Sequence, residues 1–149
     1  QNIEFFGSLY GLEREMLREK VEVLLKFVEL EERGDEKVMN LSGGMMRRVS
    51  LVCSLVHEPD ILFLDEPTVG VDPELRASFW GYFNRLRERG KTILITTHYM
   101  DEATRCHRVG FMREGRLIAE DTPEVLLERA GKATLEEAFL VLSEGGGSP

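Results

Sequence analysis

The sequence predicts an α/β fold, and three observations carry this prediction. Residues 61–64 and 92–97 are short apolar runs, typical of parallel strands that are buried on both faces. Segments with helical periodicity lie before, between and after these two runs. This alternation favours a mainly parallel sheet with flanking helices.

Composition and charge agree with a globular domain and exclude several classes of protein. The chain has 149 residues, of which 42% are hydrophobic and 31% are charged, a balance typical of folded proteins. Its formal charge of −8 argues against a general nucleic-acid binder. No apolar run approaches the roughly 18 residues of a membrane helix. Cys53 and Cys106 lie too far apart to form a metal or redox motif.

The first forty residues are predicted to be mainly helical. Residues 2–10 form a short apolar helix, and residues 13–29 form an amphipathic one. The apolar stripe of the second helix consists of Leu17, Val21, Leu24, Leu25 and Val28. Residues 31–40 are polar and contain Gly34, so we expect a loop or a broken helix there.

A third helix is predicted over residues 43–57, and its start favours phosphate binding. Gly43 and Gly44 let the backbone approach a ligand closely, and Ser42 adds a hydroxyl donor. The free N–H groups and the positive dipole end of the helix point at such a ligand. The alternative is a plain Ser/Gly loop that caps a helix.

Two carboxylates, Asp65 and Glu66, follow the first predicted strand. Ligands of open α/β sheets gather at the carboxyl ends of the strands. Asp65 is suited to hold Mg²⁺, and Glu66 is suited to polarise an attacking water. Two solvated charges at a strand end are the alternative.

His98 follows the second predicted strand in the same way. Because neighbouring strand ends converge on one crevice, we expect its imidazole near Asp65 and Glu66, where it would reach a phosphate or orient a water. Between the strands, Asp72 and Pro73 predict the start of a helix and Gly90 predicts its end.

The last third of the chain is predicted to hold a hairpin and three helices. A helix is expected around residues 99–106, and Glu114-Gly115 indicates a turn between two short strands. Thr122-Pro123 begins a helix that ends near Ala130. A capping box of Thr134 and Glu137 predicts a final helix to about Leu142.

Five short motifs follow one another along the chain. They are Leu-Ser-Gly-Gly at 41–44, His-Glu-Pro-Asp at 57–60, Leu-Asp-Glu-Pro-Thr at 64–68, Gly-Val-Asp-Pro at 70–73 and Thr-Thr-His at 96–98. In order and spacing they resemble the ATP-binding cassette (ABC) ATPases, from about residue 2 to residue 142.

The resemblance implies a role for each motif. ATP would be bound by the signature motif and the D-loop, which are Leu41, Ser42, Gly43, Gly44, Met45 and Asp72. Asp65 would end the Walker B strand and hold Mg²⁺, with Glu66 as the catalytic glutamate and His98 as the switch histidine. Met45 stands where the signature usually has Gln, so a side-chain amide contact with ATP would be lost.

The resemblance also implies an organisation and partners. Residues 1–40 would form the helical subdomain that contacts the membrane partner, and residues 41–143 the signature helix and the C-terminal part of a P-loop NTPase core. Residues 144–149 would be a flexible linker toward a membrane domain. Two cassettes would close head to tail on two ATP molecules at the cytoplasmic face of a membrane and power export through the transmembrane domain of the same transporter, with no nucleic-acid partner.

The amino-acid sequence around the motifs resembles one subfamily in particular. Residues 47–51, 68–73 and 96–99 are similar to the animal H subfamily of ABC transporters. The A subfamily and bacterial drug exporters are near relatives.

One required motif is absent from the sequence. A P-loop has the pattern Gly-x-x-x-x-Gly-Lys-Ser/Thr between a strand and a helix. Gly90-Lys91-Thr92 fails this pattern because Arg85 stands at the first glycine position and because the segment runs from helix to strand. With Gln1 at its start and a glycine-rich end, the chain is expected to be the C-terminal portion of a cassette whose P-loop strand is absent.

Three consequences are expected from this absence. The chain alone should not hydrolyse ATP. Its sheet should have unpaired strand edges and exposed apolar surface. Its stability should therefore be marginal.

Two alternatives remain open. A non-transport ABC ATPase that acts on nucleic acid typically has a coiled coil or a basic insert in place of the helical region, whereas residues 1–40 are acidic and have no heptads. The other alternative is a non-catalytic regulatory fragment that pairs with a complete cassette.

Overall fold

The computed structural model describes residues 1–145, and the chain divides into two compact units that begin at Gln1 and at Thr97. Within the first unit, the helical region consists of α1 (Asn2–Leu9), α2 (Arg14–Phe27) and α3 (Gly43–Leu55). Two short 3-10 turns, Glu31–Arg33 and Val38–Asn40, occupy the predicted loop. The three predicted helices are therefore confirmed.

Helices α1 and α2 pack closely because one residue lacks a side chain. A Cβ atom on Gly7 would lie 2.3 Å from Cδ1 of Leu17, far inside van der Waals contact. Leu17, Leu24 and Val28 of the predicted stripe are buried. The amphipathic pattern of α2 thus identified its buried face correctly.

The sheet of the first unit is a βαβ arrangement. Strand β1 (Ile61–Asp65) is followed by helix α4 (Pro73–Glu88) and strand β2 (Thr92–Thr96). The two strands are parallel, with Ile61 opposite Thr92 and Asp65 opposite Thr96. Phe79, Trp80 and Phe83 bury one side of α4.

The prediction that both strands are covered on both faces is wrong. Leu62 and Leu64 are buried on one face, but Phe63 and Leu94 on the other face are 72% and 56% exposed. Nothing among the described residues covers that face, so the expected exposed apolar surface is present. We call Ile61, Phe63 and Leu94 the open sheet face.

The second unit contains the antiparallel hairpin and three helices. Strands β3 (Val109–Arg113) and β4 (Arg116–Asp121) pair with a register shift between Phe111 and Met112. The helices are α5 (Met100–Ala103), α6 (Pro123–Ala130) and α7 (Leu135–Gly145). They enclose a core of small and apolar side chains, namely Ala103, Val109, Phe111, Ala119, Leu126, Leu135 and Ala138.

Two boundaries in this unit differ from prediction. Helix α5 is shorter than residues 99–106, since the Thr104 hydroxyl donates to the carbonyl of Asp101 at 2.7 Å and competes with continued helix. Helix α7 reaches Gly145, so the first two residues of the predicted linker 144–149 are helical. The remaining linker residues, 146–149, lie outside the described residues.

Over residues 1–145, no helix combines the length and the apolar character that crossing a membrane requires.

Candidate functional site

The carboxyl end of β1 is joined to the end of β2 by hydrogen bonds around Thr96. Its hydroxyl donates to Oδ1 of Asp65, the exposed last residue of β1. The backbone N–H of Glu66 donates to the carbonyl oxygen of Thr96 at 3.0 Å and to its Oγ1 at 3.3 Å. The two predicted carboxylate residues therefore lie at one strand end, and Thr96 is a participant that the sequence did not identify.

Glu66 has a strained backbone. Its φ of 46° places it in the left-handed region, which costs a residue with a Cβ atom roughly 1–2 kcal/mol. Strain of this kind is often found where a fold must direct a functional side chain. Here the conformation ends the strand abruptly and begins the loop of residues 67–72.

Two arginines hold that loop. Thr68 is 1% exposed, and the loop carbonyls of Val69 and Val71 accept hydrogen bonds from Arg47 and Arg76, each at 3.5 Å. Arg47 belongs to α3, so the helix that begins at the glycine pair contacts the segment that follows Glu66. This long-range contact carries no signal in the sequence.

The start of α3 has the expected geometry of a helix cap. Ser42 is the N-cap, and its Oγ accepts the N–H of Met45 at 3.3 Å. Leu41 is buried, whereas Ser42, Gly43 and Gly44 are exposed. A Cβ atom on either glycine would meet nothing within 4 Å, so open space lies beside the first turn.

Asp72 caps α4. Its Oδ1 accepts the N–H of Glu74 at 3.1 Å and that of Leu75 at 3.0 Å. The N–H of Leu75 is the main cause that lowers the pKa of the Asp72 carboxyl, because it stabilises the charged form. The carboxylate is therefore already engaged in a helix cap.

His98 lies in the second unit. Its side chain is exposed, and its ring centroid is 4.2 Å from that of Tyr99 at an interplanar angle of 37°. Tyr99 is a second participant that sequence reasoning did not identify.

The predicted residues of the first unit thus lie at the ends or beginnings of three elements. Asp65 and Glu66 meet at Thr96, Leu41 to Met45 lie at the start of α3, and Asp72 lies at the start of α4. Within the part of the chain that the structure describes, no three His, Cys, Asp or Glu side chains cluster as metal ligands.

A groove with a volume of about 450 Å³ lies beside α1 and α3 in the first unit. Its lining includes Phe6, Tyr10, Met46 and Cys53. Tyr10 stacks on the ring of His57, with centroids 3.7 Å apart. Burial raises the pKa of the Cys53 thiol to about 11, so this cysteine packs as an unreactive apolar side chain.

Known proteins match this chain over most of its length. The sequence model of the family described as ABC transporter matches residues 1–69. A probable multidrug ABC transporter ATP-binding protein from Escherichia coli is 42% identical over 147 residues, which are 95% of this chain and 25% of that protein. The Nod factor export ATP-binding protein I of Burkholderia pseudomallei is 49% identical over 129 residues, which are 86% of this chain and 42% of that protein. The chain therefore spans less than half the length of these relatives.

Solved structures share the fold. An ATP-binding subunit of an ABC transporter matches with a TM-score of 0.84 and 28% identity, over 95% of this chain and 62% of that one. A dimeric bacterial ABC transporter cassette matches with a TM-score of 0.68 and 29% identity, over 75% and 49%. The predicted partial ABC ATPase fold is confirmed. Bacterial drug exporters fit these matches, whereas the animal H subfamily is not confirmed by them.

Proposed function

Because this chain is similar in sequence and in fold to ABC transporter ATP-binding domains, we propose that it is the C-terminal portion of a cassette that binds and hydrolyses ATP to power export. One observation carries the proposal. Asp65 and Glu66 lie together at the carboxyl end of a parallel strand, where α/β proteins bind nucleotides.

The proposed catalytic roles follow from the chemistry of each side chain. Glu66 polarises the attacking water. Its strained backbone is fixed by two hydrogen bonds to Thr96, so the Cα atom from which the side chain extends has a fixed position. His98 contacts the transferred phosphate, since its exposed imidazole can donate a proton or a hydrogen bond.

The residues at the start of α3 fit a phosphate group. Ser42, Gly43 and Gly44 are exposed, the glycines leave open space, and the first N–H groups of a 13-residue helix have no partner inside the helix. Leu41 anchors this turn through burial, while Met45 and Asp72 complete the proposed ATP-binding set. Binding at this point uses backbone dipoles rather than basic side chains, which agrees with the acidic charge of the chain.

Asp65 fits the role of a magnesium ligand. Its carboxylate is exposed at the strand end, and the Thr96 hydroxyl that donates to Oδ1 orients it. When bound, Mg²⁺ neutralises charge on the phosphates. Further ligands would come from ATP, water and the P-loop of the intact protein.

We also propose the partners and the location. A second cassette closes head to tail with this one, so that Ser42, Gly43 and Gly44 of one chain complete the ATP site of the other. The transmembrane domain of the same transporter docks on residues 1–40 at the cytoplasmic face of the membrane. The transmembrane domain makes its apolar contact at the groove lined by Phe6 and Tyr10, which are 41% and 62% exposed.

The units of the proposed organisation are residues 1–40 as helical subdomain, 41–143 as the signature helix with the C-terminal part of the ATPase core, and 144–149 as a linker whose first two residues continue α7. The H-subfamily placement also stays a proposal, supported by residues 47–51, 68–73 and 96–99. Sequencing the transcript upstream of residue 1 and downstream of residue 149 would test both proposals. A P-loop and Q-loop upstream and membrane-spanning segments downstream are expected.

Hydrolysis by the intact protein tests the proposed activity. Glu66→Gln should lower kcat by about a hundredfold or more, because the water loses its base. The matched control is Glu22→Gln, on an exposed position of α2. Unchanged kcat in the Glu66 variant would contradict the proposal.

The 149 residues alone should show no Mg-dependent ATP hydrolysis, because they contain no P-loop. Hydrolysis by this chain that disappears in Glu66→Gln would overturn that expectation. Two results favour the alternatives. Tight binding of nucleic acid favours a non-transport ABC ATPase, and inhibition of a complete cassette by this chain favours a regulatory fragment.

A further inference from the structure

A buried carboxylate lies four residues after His98. Glu102 is 1% exposed, on the short helix α5 of the second unit. Burying a carboxylate costs several kcal/mol unless hydrogen bonds compensate it. Because burying a glutamate is costly, its presence at this position indicates that its oxygen atoms are needed there for hydrogen bonding.

The carboxylate takes part in a hydrogen-bond relay. The Thr97 hydroxyl donates to Oε2 of Glu102 at 3.1 Å. The same Oγ1 accepts the N–H of Tyr99 at 3.0 Å. Because a hydroxyl has one proton, accepting from Tyr99 and donating to Glu102 fixes the direction of both bonds.

The relay closes on itself through the backbone. The N–H of Glu102 donates to the carbonyl of Tyr99 at 3.1 Å. Both backbone polar groups of Tyr99 are thus bound, one by Thr97 and the other by Glu102. Because a peptide unit is planar, fixing the Tyr99 N–H also fixes the orientation of the His98 carbonyl and Cα.

The side chains add a second restraint. The Tyr99 ring lies 4.2 Å from the His98 ring, so an oriented Tyr99 gives the imidazole a surface to pack against. The relay with Glu102 therefore holds both residues that flank His98, namely Thr97 and Tyr99.

We propose that Glu102 is a positioning residue for His98, acting through the Thr97 hydroxyl and the Tyr99 backbone and ring. The catalytic use of the His98 imidazole rests on the proposed function, whereas its orientation by Glu102 does not. It assigns Thr97 and Glu102 to the orientation of the imidazole rather than to contact with ATP.

Nuclear magnetic resonance of the 149-residue chain tests the positioning. The chain has three histidines, so ring signals can be assigned from single substitutions. Thr97→Val keeps the shape of the side chain and removes the hydroxyl, and Thr97→Ser keeps the hydroxyl as the matched control. We expect Thr97→Val to speed hydrogen exchange of the Tyr99 amide about fivefold and to shift the His98 ring signals. Thr97→Ser should leave exchange within about twofold of the parent chain, and the His107 signals should stay unchanged in both.

A second variant separates positioning from stability. Glu102→Leu removes the acceptor at similar volume, and combining it with Thr97→Val leaves no hydroxyl unpaired, so the double variant should be better tolerated than Glu102→Leu alone. The His98 ring signals should still move, and adding Thr97→Val should move them no further, because both changes break one relay. Unmoved His98 signals together with unchanged Tyr99 exchange in both variants would overturn the inference.

Hydrolysis by the intact protein distinguishes the two proposals. If His98→Ala retains full activity while Thr97→Val still moves the ring signals, the catalytic role of His98 fails and the positioning inference stands. If His98→Ala loses activity and the ring signals never respond, the positioning inference fails and the catalytic role stands.

Discussion

Each unit buries one face of its sheet, and the two units leave different side chains on the other face. In the first unit, β1 and β2 have apolar side chains on both faces, but only the face of Leu62 and Leu64 is buried. In the second unit, β3 alternates, with Val109 and Phe111 buried and Gly110 and Met112 exposed. An alternating strand needs one covering layer, which α6 and α7 supply within the unit, whereas a continuous apolar strand needs two. The same secondary structure therefore forms in both units, and each has a buried core, although the first unit leaves Ile61, Phe63 and Leu94 uncovered.

The largest expected contrast is between one core side chain and one on the open sheet face. Leu126→Ala removes a fully buried side chain and should lower the free energy of unfolding by about 3 kcal/mol. Phe63→Ala, at a position 72% exposed, should lower it by less than about 0.5 kcal/mol. Urea unfolding followed by circular dichroism measures both, and equal losses would mean that Phe63 is covered in solution.

Helix caps should respond equally in the two units. Ser42 caps α3 and Thr122 caps α6 with similar side-chain hydrogen bonds, 3.3 and 3.4 Å long. Each change to Ala should cost about 1 kcal/mol, and each change to Gly only a few tenths. Thermal unfolding of the four variants measures this. A cap that costs several times more in one unit would show that its helix depends on more than local hydrogen bonds.

Replacing two of the four glutamates that have a left-handed backbone within residues 1–145 should raise stability slightly. Glu66 of the first unit and Glu114 of the hairpin turn have φ values of 46° and 51°. Glycine adopts this region without strain, so each change to Gly should gain about 0.5 kcal/mol after the added entropy of the unfolded chain is counted. The matched changes to Ala should give no gain. Chemical denaturation that shows a loss for Glu66→Gly alone would mean that its side chain makes stabilising contacts.

The smallest change in stability is expected on the open sheet face. The double variant Phe63→Thr, Leu94→Thr should alter the free energy of unfolding by less than about 0.5 kcal/mol, because both positions are exposed and Thr suits a strand. Self-association, followed by light scattering, should fall because apolar surface is removed. Unchanged association would show that this face does not attract other copies.

The features that the sequence predicts correctly are local ones. The caps at Ser42, Asp72 and Thr122 bind backbone groups only two or three residues away, so the pattern that predicts them contains the whole interaction. The hairpin likewise follows from its turn residues. Asp65 and Glu66 were predicted as a pair for the same reason, since they are adjacent and end a strand.

The features that sequence reasoning missed depend on distant residues. Thr96 meets Asp65 across 31 positions, and Arg47 meets Val69 across 22, so neither contact leaves a periodic signal. The exposure of Phe63 depends on which layers surround the sheet and not on the strand itself. The sequence indicates only that Glu102 is a polar residue in a short helix, and its burial becomes visible in the fold.

The crowding at Gly7 has a consequence for selection experiments. In a library randomised at position 7 and selected only for folding, glycine should be enriched, because a Cβ there would lie 2.3 Å from Cδ1 of Leu17 and the buried Leu17 side chain would have to move. The same selection at positions 43 and 44 should recover alanine freely, since nothing lies within 4 Å of a Cβ there. The proposed phosphate binding at the start of α3 predicts that a second selection, for nucleotide binding by the intact protein, returns these two positions to glycine. Sequencing the survivors of both rounds would separate the glycines that the packing requires from those that a ligand requires.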